Sequence, residues 1–362
     1  MGTLHSFVVG RAVAFGAAAT IAAAASAQVT VPDRPGKPVF HGQQAEPRSP
    51  EVTFDTKTGA VSLKVSVQDV NGFFIPNLRR NNFAVFEDGQ RQHNVTVEVE
   101  HSPITLAVLM EMGGRSQQLN KTLASDAPYI AKPMLDVLGR SDKLAVFTYG
   151  DRLQPIIDFD APHDKWDEAF TGIRQPQFSE ANFYDAAIEV LDRLAGVSGR
   201  KALLIISTGI DTFSHATFED LVNKADAANT PVYVIGLGDT VRQSPIDRTS
   251  GPLARVDWDT CQRQLERLAR VSGGRAYVDA NPISVGSIYD DMMENLRVRY
   301  VITYVSSQPG AIAKARTVQV KLVDPKTDAP LRIADAAGRR VTARVIAQAT
   351  YTPSSAATGT SG

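Results

Sequence analysis

The sequence predicts an α/β protein: a doubly wound, mostly parallel sheet flanked by N- and C-terminal β segments. Between about Ser102 and Val298, short apolar segments alternate with segments of helical spacing. On either side, residues 51–101 and 300–352 tend to alternate apolar and polar side chains. Strands that alternate with amphipathic helices are typical of right-handed βαβ units around a parallel sheet. The chain has 362 residues, of which 43% are hydrophobic, enough to bury a sizeable core.

The first 27 residues have the pattern of an export signal. Arg11 precedes a mostly apolar run from Ala12 to Ala25, about 14 residues long and too short to span a bilayer comfortably. Ala25-Ser26-Ala27 supplies the small-x-small pattern of a signal peptidase site. We therefore expect Sec-type export, cleavage after Ala27, and a periplasmic or secreted mature chain with no further membrane insertion. A retained N-terminal anchor is the alternative.

Two stretches outside the predicted domains lack a regular pattern. Residues 28–50 contain five prolines among polar residues, which indicates an extended linker. Residues 353–362 are rich in Ser, Thr, Ala and Gly, which predicts a disordered tail.

The two β segments, 51–101 and 300–352, are small. Each has about 50 residues, too few to bury a core alone, so we expect them to pack together outside the α/β domain and to bring the chain ends near each other. Period-two alternation and turn dipeptides mark their strands. The predicted strands are Val61–Val67, Phe83–Phe86, Val95–Val99, Tyr300–Val305, Thr317–Val323 and Val341–Ala347.

The central segment, residues 102–299, carries the α/β pattern. Nearly continuous apolar runs mark strands that are buried on both faces. The predicted strands are Ile104–Met110, Lys143–Tyr149, Pro155–Phe159 at an edge, Ala202–Ile206, Pro231–Leu237 and Arg275–Val278. The predicted helices are Leu119–Leu138, Phe183–Leu194, Thr217–Ala228, Asp257–Val271 and Ile283–Val298.

Charge and cysteine content exclude several classes of function. The 38 Lys and Arg residues balance 39 Asp and Glu residues, which argues against broad nucleic-acid binding. A single cysteine, Cys261, excludes an intramolecular disulfide framework and a zinc site built from several cysteines. We expect Cys261 to be a half-buried residue that packs a helix; an intermolecular disulfide is the alternative.

The loops that follow the predicted strands form the candidate site. In an open α/β sheet, ligands bind beyond the carboxyl ends of the strands. We expect these loops to bind a partner. Their candidate residues are Glu111, Arg115, Ser116, Asn182, Thr208 and Asp211.

Several local motifs, in this order, resemble a known family. They are Leu78–Phe83, Val85–Gly89, Tyr184–Ala187, Ser272–Tyr277 and Leu296–Tyr304. With them the chain resembles a von Willebrand factor type A domain. From about residue 52 to residue 351 it resembles a secreted bacterial group that carries such a domain between two β segments. The resemblance implies an interaction or adhesion module whose strand-end loops bind another protein.

The resemblance also raises the question of a metal ion. Many type A domains hold a divalent ion with an Asp-x-Ser-x-Ser motif, a distant Thr and a later Asp. At these positions the present chain has Glu111, Gly113, Arg115, Ala181 and Thr208. A cation about 4 Å from a divalent ion costs about 8 kcal/mol at an effective dielectric near 20. The sequence therefore predicts a degenerate metal site with no bound metal.

Two alternatives concern the same residues. Glu111, Ser116 and Asp211 could form a residual Mg²⁺ site. Arg115 could instead pair with Glu111 or Asp211 and replace the metal electrostatically. An Arg115→Ser variant with unchanged stability and partner binding would contradict the second alternative.

The sequence favours a non-enzymatic function, with no catalytic residues and no cofactor. The first alternative is a divalent-metal-dependent adhesion or ligand-binding domain. The second is an enzyme that uses the same crevice, although no acid–base pair or activated nucleophile is visible. Val234–Asp239 resembles part of a dinucleotide fingerprint but lacks its third Gly and, we expect, a helix directly after it. A charged stripe at helical spacing predicts a solvated helix face, or alternatively a basic docking patch; its residues are Arg263, Glu266, Arg267 and Arg270.

Overall fold

The structure is a computed structural model that describes most of the chain. The described ranges are 28–31, 51–55, 58–69, 74–113, 130, 133–171, 180–228, 230–243, 252–278, 285–307, 314–335, 337–346 and 348–352. The predicted export signal, most of the predicted linker and the predicted tail lie outside these ranges.

The described residues form eighteen strands and seven helices, numbered in chain order. The strands are β1 Gln28–Thr30, β2 Glu51–Asp55, β3 Ala60–Asp69, β4 Phe83–Glu87, β5 Gln90–Arg91, β6 Thr96–His101, β7 Ile104–Glu111, β8 Lys143–Tyr149, β9 Leu153–Ile157, β10 Arg200–Ser207, β11 Val232–Gly236, β12 Ala276–Tyr277, β13 Val298–Val305, β14 Arg316–Leu322, β15 Arg332–Ala334, β16 Arg340–Val341, β17 Ala343–Ile346 and β18 Gln348–Tyr351. The helices are α1 133–137, α2 Trp166–Thr171, α3 Phe183–Ala195, α4 Phe218–Ala227, α5 Gly238–Gln243, α6 Trp258–Val271 and α7 Val285–Arg297.

A six-stranded sheet in the order β12-β11-β10-β7-β8-β9 forms the centre of the α/β domain. Every pair of neighbours is parallel except β8 and β9, which are antiparallel. Helices α3, α4 and α6 pack on one face, and α2, α5 and α7 pack on the other. The chain adds β8 and β9 on one side of β7 and then crosses to add β10, β11 and β12 on the other side. The sheet is therefore doubly wound, as predicted.

The central strand β7 shows why the sequence folds this way. Each of its eight residues is buried. Leu106 and Val108 join the apolar core under one helix layer, while Ala107 and Leu109 join the core under the other. A strand buried on both faces has no polar alternation, and this absence of alternation made β7 visible in the sequence.

The two β segments combine into one sandwich. One sheet has the order β17-β3-β13-β6, with β2 also paired to β3, and the other has the order β18-β14-β4-β5. Strands β3 and β13 pair antiparallel, as do β4 and β14, so each sheet joins N-terminal to C-terminal strands. Phe54 stacks on Tyr351, with ring centroids 5.7 Å apart. The predicted packing of the two segments is confirmed.

The prediction of an extended linker over residues 28–50 is wrong at its first residues, which form strand β1. Gln28–Thr30 pairs in parallel with β15 in a small third sheet. Val31 continues this contact, because its backbone N–H donates to the carbonyl oxygen of Ala334 at 2.9 Å. Three residues are too few to show a period, and their partner lies about 300 residues away in the chain, so the sequence pattern held no signal for this strand.

Helix α5 corrects the prediction that no helix directly follows Val234–Asp239. A six-residue helix begins at Gly238. Val241, which occupies the position of the third fingerprint glycine, is buried in the domain core. Tertiary packing of this side chain stabilises a segment whose Gly, Thr and Val residues have weak helix propensity. The predicted helix Leu119–Leu138 lies within the described residues only at its end, as Ile130 and α1.

Side-chain caps begin two of the helices. Thr217 caps α4, since its hydroxyl accepts a hydrogen bond from the backbone N–H of Asp220 at 3.2 Å. Asp257 caps α6 in the same way through Thr260 at 3.0 Å. Among the helices described, none is both long and apolar enough to cross a membrane.

Candidate functional site

The site lies where the sheet reverses its direction of growth, between β7 and β10. Glu111 ends β7, Ser207 ends β10, and Tyr149 ends β8. Because these three strands are parallel neighbours, their carboxyl ends meet at one edge of the sheet. This edge is the position at which open α/β sheets hold their ligands.

The carboxyl group of Glu111 is enclosed by donors from its own chain. The side chain is only 2% exposed. Its Oε2 accepts from the backbone N–H of Thr208 at 2.6 Å, from the Ser207 hydroxyl at 3.0 Å and from the Tyr149 hydroxyl at 3.4 Å. The Thr208 hydroxyl lies 3.0 Å from Oε1 and 2.9 Å from Oε2. Four donor groups therefore converge on one carboxyl group.

All of these donors are neutral, and this sets the ionisation of Glu111. Burial raises the pKa of Glu111 from 4.5 to about 7, and the hydrogen bonds from Thr208, Ser207 and Tyr149 offset only part of that rise. Burial also raises the pKa of Tyr149 well above its usual range, so the phenol remains a donor. Glu111 consequently exchanges its proton near neutral pH.

The backbone after β10 folds tightly around these side chains. The Ser207 hydroxyl accepts from the N–H of Gly209 at 2.8 Å, and the Thr208 hydroxyl lies 3.3 Å from the N–H of Ile210. Gly209 has φ +80°, and a Cβ there would lie 3.0 Å from the backbone oxygen of Cys261 and from the side chain of Leu265. Helix α6 thus approaches the loop closely, and the positive φ and this contact together favour glycine at position 209.

A second layer of polar side chains fixes the loop at residues 211–216. Oδ1 of Asn182 lies 3.3 Å from the Thr212 hydroxyl and accepts from the N–H of Phe213 at 3.2 Å. Oδ1 of Asp211 accepts from the N–H of Tyr184 at 3.1 Å and from the Ser214 hydroxyl at 2.5 Å. The loop is therefore tied to the start of α3.

Asp185 adds a third attachment between α3 and the same loop. It accepts from the backbone N–H groups of His215 and Ala216, both at 2.9 Å. Partial burial works to raise the pKa of Asp185, but these hydrogen bonds outweigh it and hold the pKa below its usual value. Phe213, on the loop held in this way, is 64% exposed.

The described residues do not fit a divalent metal ion of the type that the family resemblance suggests. Mg²⁺ requires six oxygen ligands in near-octahedral geometry. Here Oε2 of Glu111 and the Thr208 hydroxyl are directed toward each other, while Gly113 and the buried Ala181 offer no side-chain oxygen. Among the described residues, no three His, Cys, Asp or Glu side chains come together.

The sequence-predicted site residues fall into three groups. Glu111 and Thr208 contact each other directly. Asn182 and Asp211 lie in the second layer: Asn182 accepts from the N–H of Phe213, and Asp211, within the same loop, accepts from the N–H of Tyr184. Arg115 and Ser116 lie outside the described residues, so the residual Mg²⁺ site and the Arg115 ion pair remain predictions.

Sequence reasoning missed three residues of the site. Tyr149 and Ser207 are the last residues of their strands, so the rule that found Glu111 could have found them. The prediction places Tyr149 in its strand and Ser207 in the loop after Ala202–Ile206, and it selects neither as a site residue. Asp185 belongs to the motif at the start of α3, and only the structure shows that its carboxylate faces the loop at 211–216.

The other features that the sequence marked have structural roles. Arg267 pairs with Glu219 through two hydrogen bonds and lies over the Phe218 ring, as expected of a solvated helix face. Cys261 is half-buried and packs against the domain core. Burial raises the pKa of its thiol to about 11, and the nearby charge of Glu111 adds to the rise.

Comparisons with known proteins found similarity in structure only. No protein-family model matches the chain, and no curated protein matches its sequence. One similar solved structure is the conserved hypothetical protein BatB from Bacteroides thetaiotaomicron, which is 14% identical, covers 53% of this chain and 98% of its own, and has a TM-score of 0.41. A second is a von Willebrand factor type A structure from Catenulispora acidiphila, at 12% identity, with 77% of this chain and 74% of its own covered and a TM-score of 0.41.

A third similar structure is the vWF domain of the type V pili tip protein Mfa5 from Porphyromonas gingivalis. It is 9% identical, covers 54% of this chain and 95% of its own, and has a TM-score of 0.39. The second and third structures bear the name of the family that the sequence resembles. The assignment of the fold itself rests on the strand order and the two helix layers of the present structure.

Proposed function

We propose that this protein is an exported, non-enzymatic binding module that holds another protein with the loops at the carboxyl edge of its six-stranded sheet, without bound metal. The enclosure of Glu111 carries this proposal. At the position where the resemblance would place the first metal ligand, the carboxyl group accepts hydrogen bonds from Thr208, Ser207 and Tyr149. Because the carboxyl group is hydrogen-bonded to its own fold, we propose that it fixes the shape of the site and does not coordinate a metal ion.

The rigidity of the neighbouring loop supports a binding role. Asn182, Asp211 and Asp185 hold the backbone at residues 211–216, and Phe213 projects from it. An exposed aromatic side chain on a fixed backbone can anchor a partner with little loss of conformational entropy. We propose Phe213 as the centre of the contact surface.

The same geometry argues against catalysis. A buried carboxyl group with a pKa near 7 is a candidate general acid or base. Glu111, however, is almost fully enclosed, and its donors are hydroxyl and amide groups of its own fold. A substrate atom would have to displace Thr208 to reach Oε2. We therefore propose that Glu111 holds the loop in place.

The export part of the proposal rests on residues 1–27, with their apolar run and Ala25-Ser26-Ala27 site. Export to an oxidising compartment is compatible with a chain that has one half-buried thiol and a large α/β core.

Differential capture tests the proposal. The mature chain, from Gln28 onward, is immobilised and exposed to periplasmic extract or culture medium, with either Mg²⁺ or EDTA. Captured proteins are quantified by mass spectrometry. Phe213→Ala is compared with Val305→Ala, which truncates a side chain 59% exposed on the β-sandwich. We expect one partner to be captured in equal amounts in Mg²⁺ and EDTA. The captured amount should fall about tenfold with Phe213→Ala and stay unchanged with Val305→Ala.

Two results would contradict this function. Capture that requires Mg²⁺ and disappears in EDTA would favour metal-dependent adhesion, as would a melting temperature raised several degrees by Mg²⁺ or Mn²⁺ and restored by EDTA. Equal capture by the Phe213→Ala and Val305→Ala variants would place the contact surface elsewhere.

A further inference from the structure

A polar cleft of about 240 Å³ opens in the β-sandwich, in a part of the fold that the proposed partner site does not use. It is formed by the chain on either side of β4 and β5 together with the turn that follows β14. Its lining includes the polar residues Arg80, Asn81, Arg91, His93, Asn94 and Asp328. The cleft therefore combines residues from both β segments.

The charge of the cleft is positive, although the chain as a whole carries a net charge of −1. The described residues that line the cleft include two guanidinium groups, those of Arg80 and Arg91, and one carboxylate, that of Asp328. The nearby Asp324 does not line the cleft, and its Oδ1 accepts from the backbone N–H groups of Lys326 and Thr327.

The backbone that carries Arg80 is fixed from both sides. Arg80 begins a short 3-10 turn that ends at the buried Asn82. The N–H of Arg79 donates to Oδ1 of Asn82 at 2.9 Å, and the N–H of Val323 donates to the carbonyl oxygen of Asn82 at 2.9 Å. In the described part of the chain, Arg80 has no carboxylate partner, so its guanidinium is available to a ligand.

The second cation is held differently. Arg91 donates to Oδ2 of Asp328, a residue in the left-handed region with φ 57°. The N–H of Asp328 donates in turn to the carbonyl oxygen of Asp324 at 2.9 Å. The turn thus orients the Arg91 guanidinium, which keeps further N–H groups for another acceptor.

We infer that this cleft binds a small polyanion, a molecule that carries several carboxylate or phosphate oxygens. Guanidinium groups match both kinds of oxyanion through paired hydrogen bonds, and the amides of Asn81 and Asn94 can donate to the remaining oxygens. The volume is below the roughly 300–1,000 Å³ of sites for drug-sized molecules, which favours a compact ligand. Such a ligand would bridge the N-terminal and C-terminal halves of the sandwich and stabilise their association.

Binding of two defined anions to the full mature chain tests the inference. Citrate represents polycarboxylates and pyrophosphate represents phosphates; NaCl at matched ionic strength and glycerol are the controls. Calorimetry and melting temperature are measured on the wild type, on Arg80→Gln, and on Arg140→Gln, which removes an exposed arginine of the α/β domain. We expect citrate, pyrophosphate or both to bind, and the anion that binds identifies the oxygen type. Arg80→Gln should weaken binding about tenfold, and Arg140→Gln should leave it unchanged.

Three outcomes would overturn the inference. The first is no binding of either anion up to about 10 mM. The second is equal weakening, or no weakening, in the Arg80→Gln and Arg140→Gln variants. The third is binding of polyglutamate, added to the same assay as a macromolecular probe, when neither citrate nor pyrophosphate binds, since a macromolecular acid would then be the ligand. Failure here leaves the proposed partner site untouched, because Phe213 and Glu111 lie in the other domain.

Discussion

Two buried glutamates, one in each domain, are held in opposite ways. Glu87 in the sandwich is 0% exposed and accepts hydrogen bonds from the hydroxyls of Ser306 and Tyr351 and from the guanidinium of Arg316. Glu111 in the α/β domain has a similar set of hydroxyl donors, but each group that donates to it among the described residues is neutral.

The difference lies in one positive charge. A buried carboxylate beside a guanidinium is stabilised as an ion pair, whereas a carboxyl group among neutral donors still bears the cost of desolvation when it ionises. Glu87 therefore joins the ends of β4, β13, β14 and β18 by charge. Glu111 joins the loops of its site by hydrogen bonds whose strength varies with pH.

The largest expected effect comes from breaking the charged pair. Arg316→Met should cost about 3–5 kcal/mol of unfolding free energy at pH 7, because Glu87 is left buried without its counter-charge. Urea unfolding measures this loss. The control is Arg193→Met, which removes an exposed pair with Glu189 and should cost less than about 1 kcal/mol. Similar losses in both variants would mean that burial does not distinguish the two pairs.

The next effect concerns the pH dependence of Glu111. Its pKa is raised on folding, so the folded protein binds the proton more tightly than the unfolded chain. Between pH 4.5 and 7 the stability due to this group falls as pH rises, by about 3 kcal/mol in all. Urea unfolding at pH 5 and pH 8 should show this fall in the wild type, and Glu111→Gln should abolish it. Parallel pH profiles for wild type and variant would contradict this account.

A smaller effect tests the close contact that frames Glu111. Gly209→Ala should cost about 1–3 kcal/mol, because φ is +80° and the new Cβ would press on Cys261 and Leu265. Gly286→Ala is the control: it lies in α7 with open space around it, and its stability should change by less than about 1 kcal/mol. Thermal unfolding separates the two variants. Equal melting temperatures would show that α6 can move away from the loop.

The smallest expected effect is that of the Glu111 charge on the thiol of Cys261. Because its pKa is raised to about 11, alkylation by iodoacetamide at pH 8 should be about 100-fold slower in the folded protein than in urea. Burial is the main cause, and the charge of Glu111 adds to it. Glu111→Gln should therefore speed alkylation of the folded protein a few-fold, measured by mass spectrometry. An unchanged rate would mean that the Glu111 charge does not reach the thiol.

The sequence predicted elements whose signal is local. Strand β7 was predicted because its residues are nearly all apolar, and α6 because its side chains follow helical spacing. Helix α5 was missed because Val241 is held by packing against residues far away in the chain. Strand β1 was missed for the same reason, since it depends on β15.

The site was predictable in position but not in its bonds. Glu111 and Thr208 follow from the rule that strand ends meet at the point where the sheet reverses. Their hydrogen bonds depend on which way Tyr149 and Ser207 point, and on the close approach of α6 at Gly209. Rotamers and helix contacts of this kind are set by the whole domain, so no pattern within a few residues encodes them.

The interleaved sandwich has a consequence for the order of folding. Strands β6 and β13 are neighbours, and His101 lies opposite Val298, although almost 200 residues separate them in the chain. Closing so long a loop in an unfolded chain carries a large entropic cost. Once the α/β domain has folded, however, its two ends lie side by side and most of that loop is already closed. We expect the α/β domain to fold first and to template the sandwich, so that β18, the last strand among the described residues, joins the sandwich last.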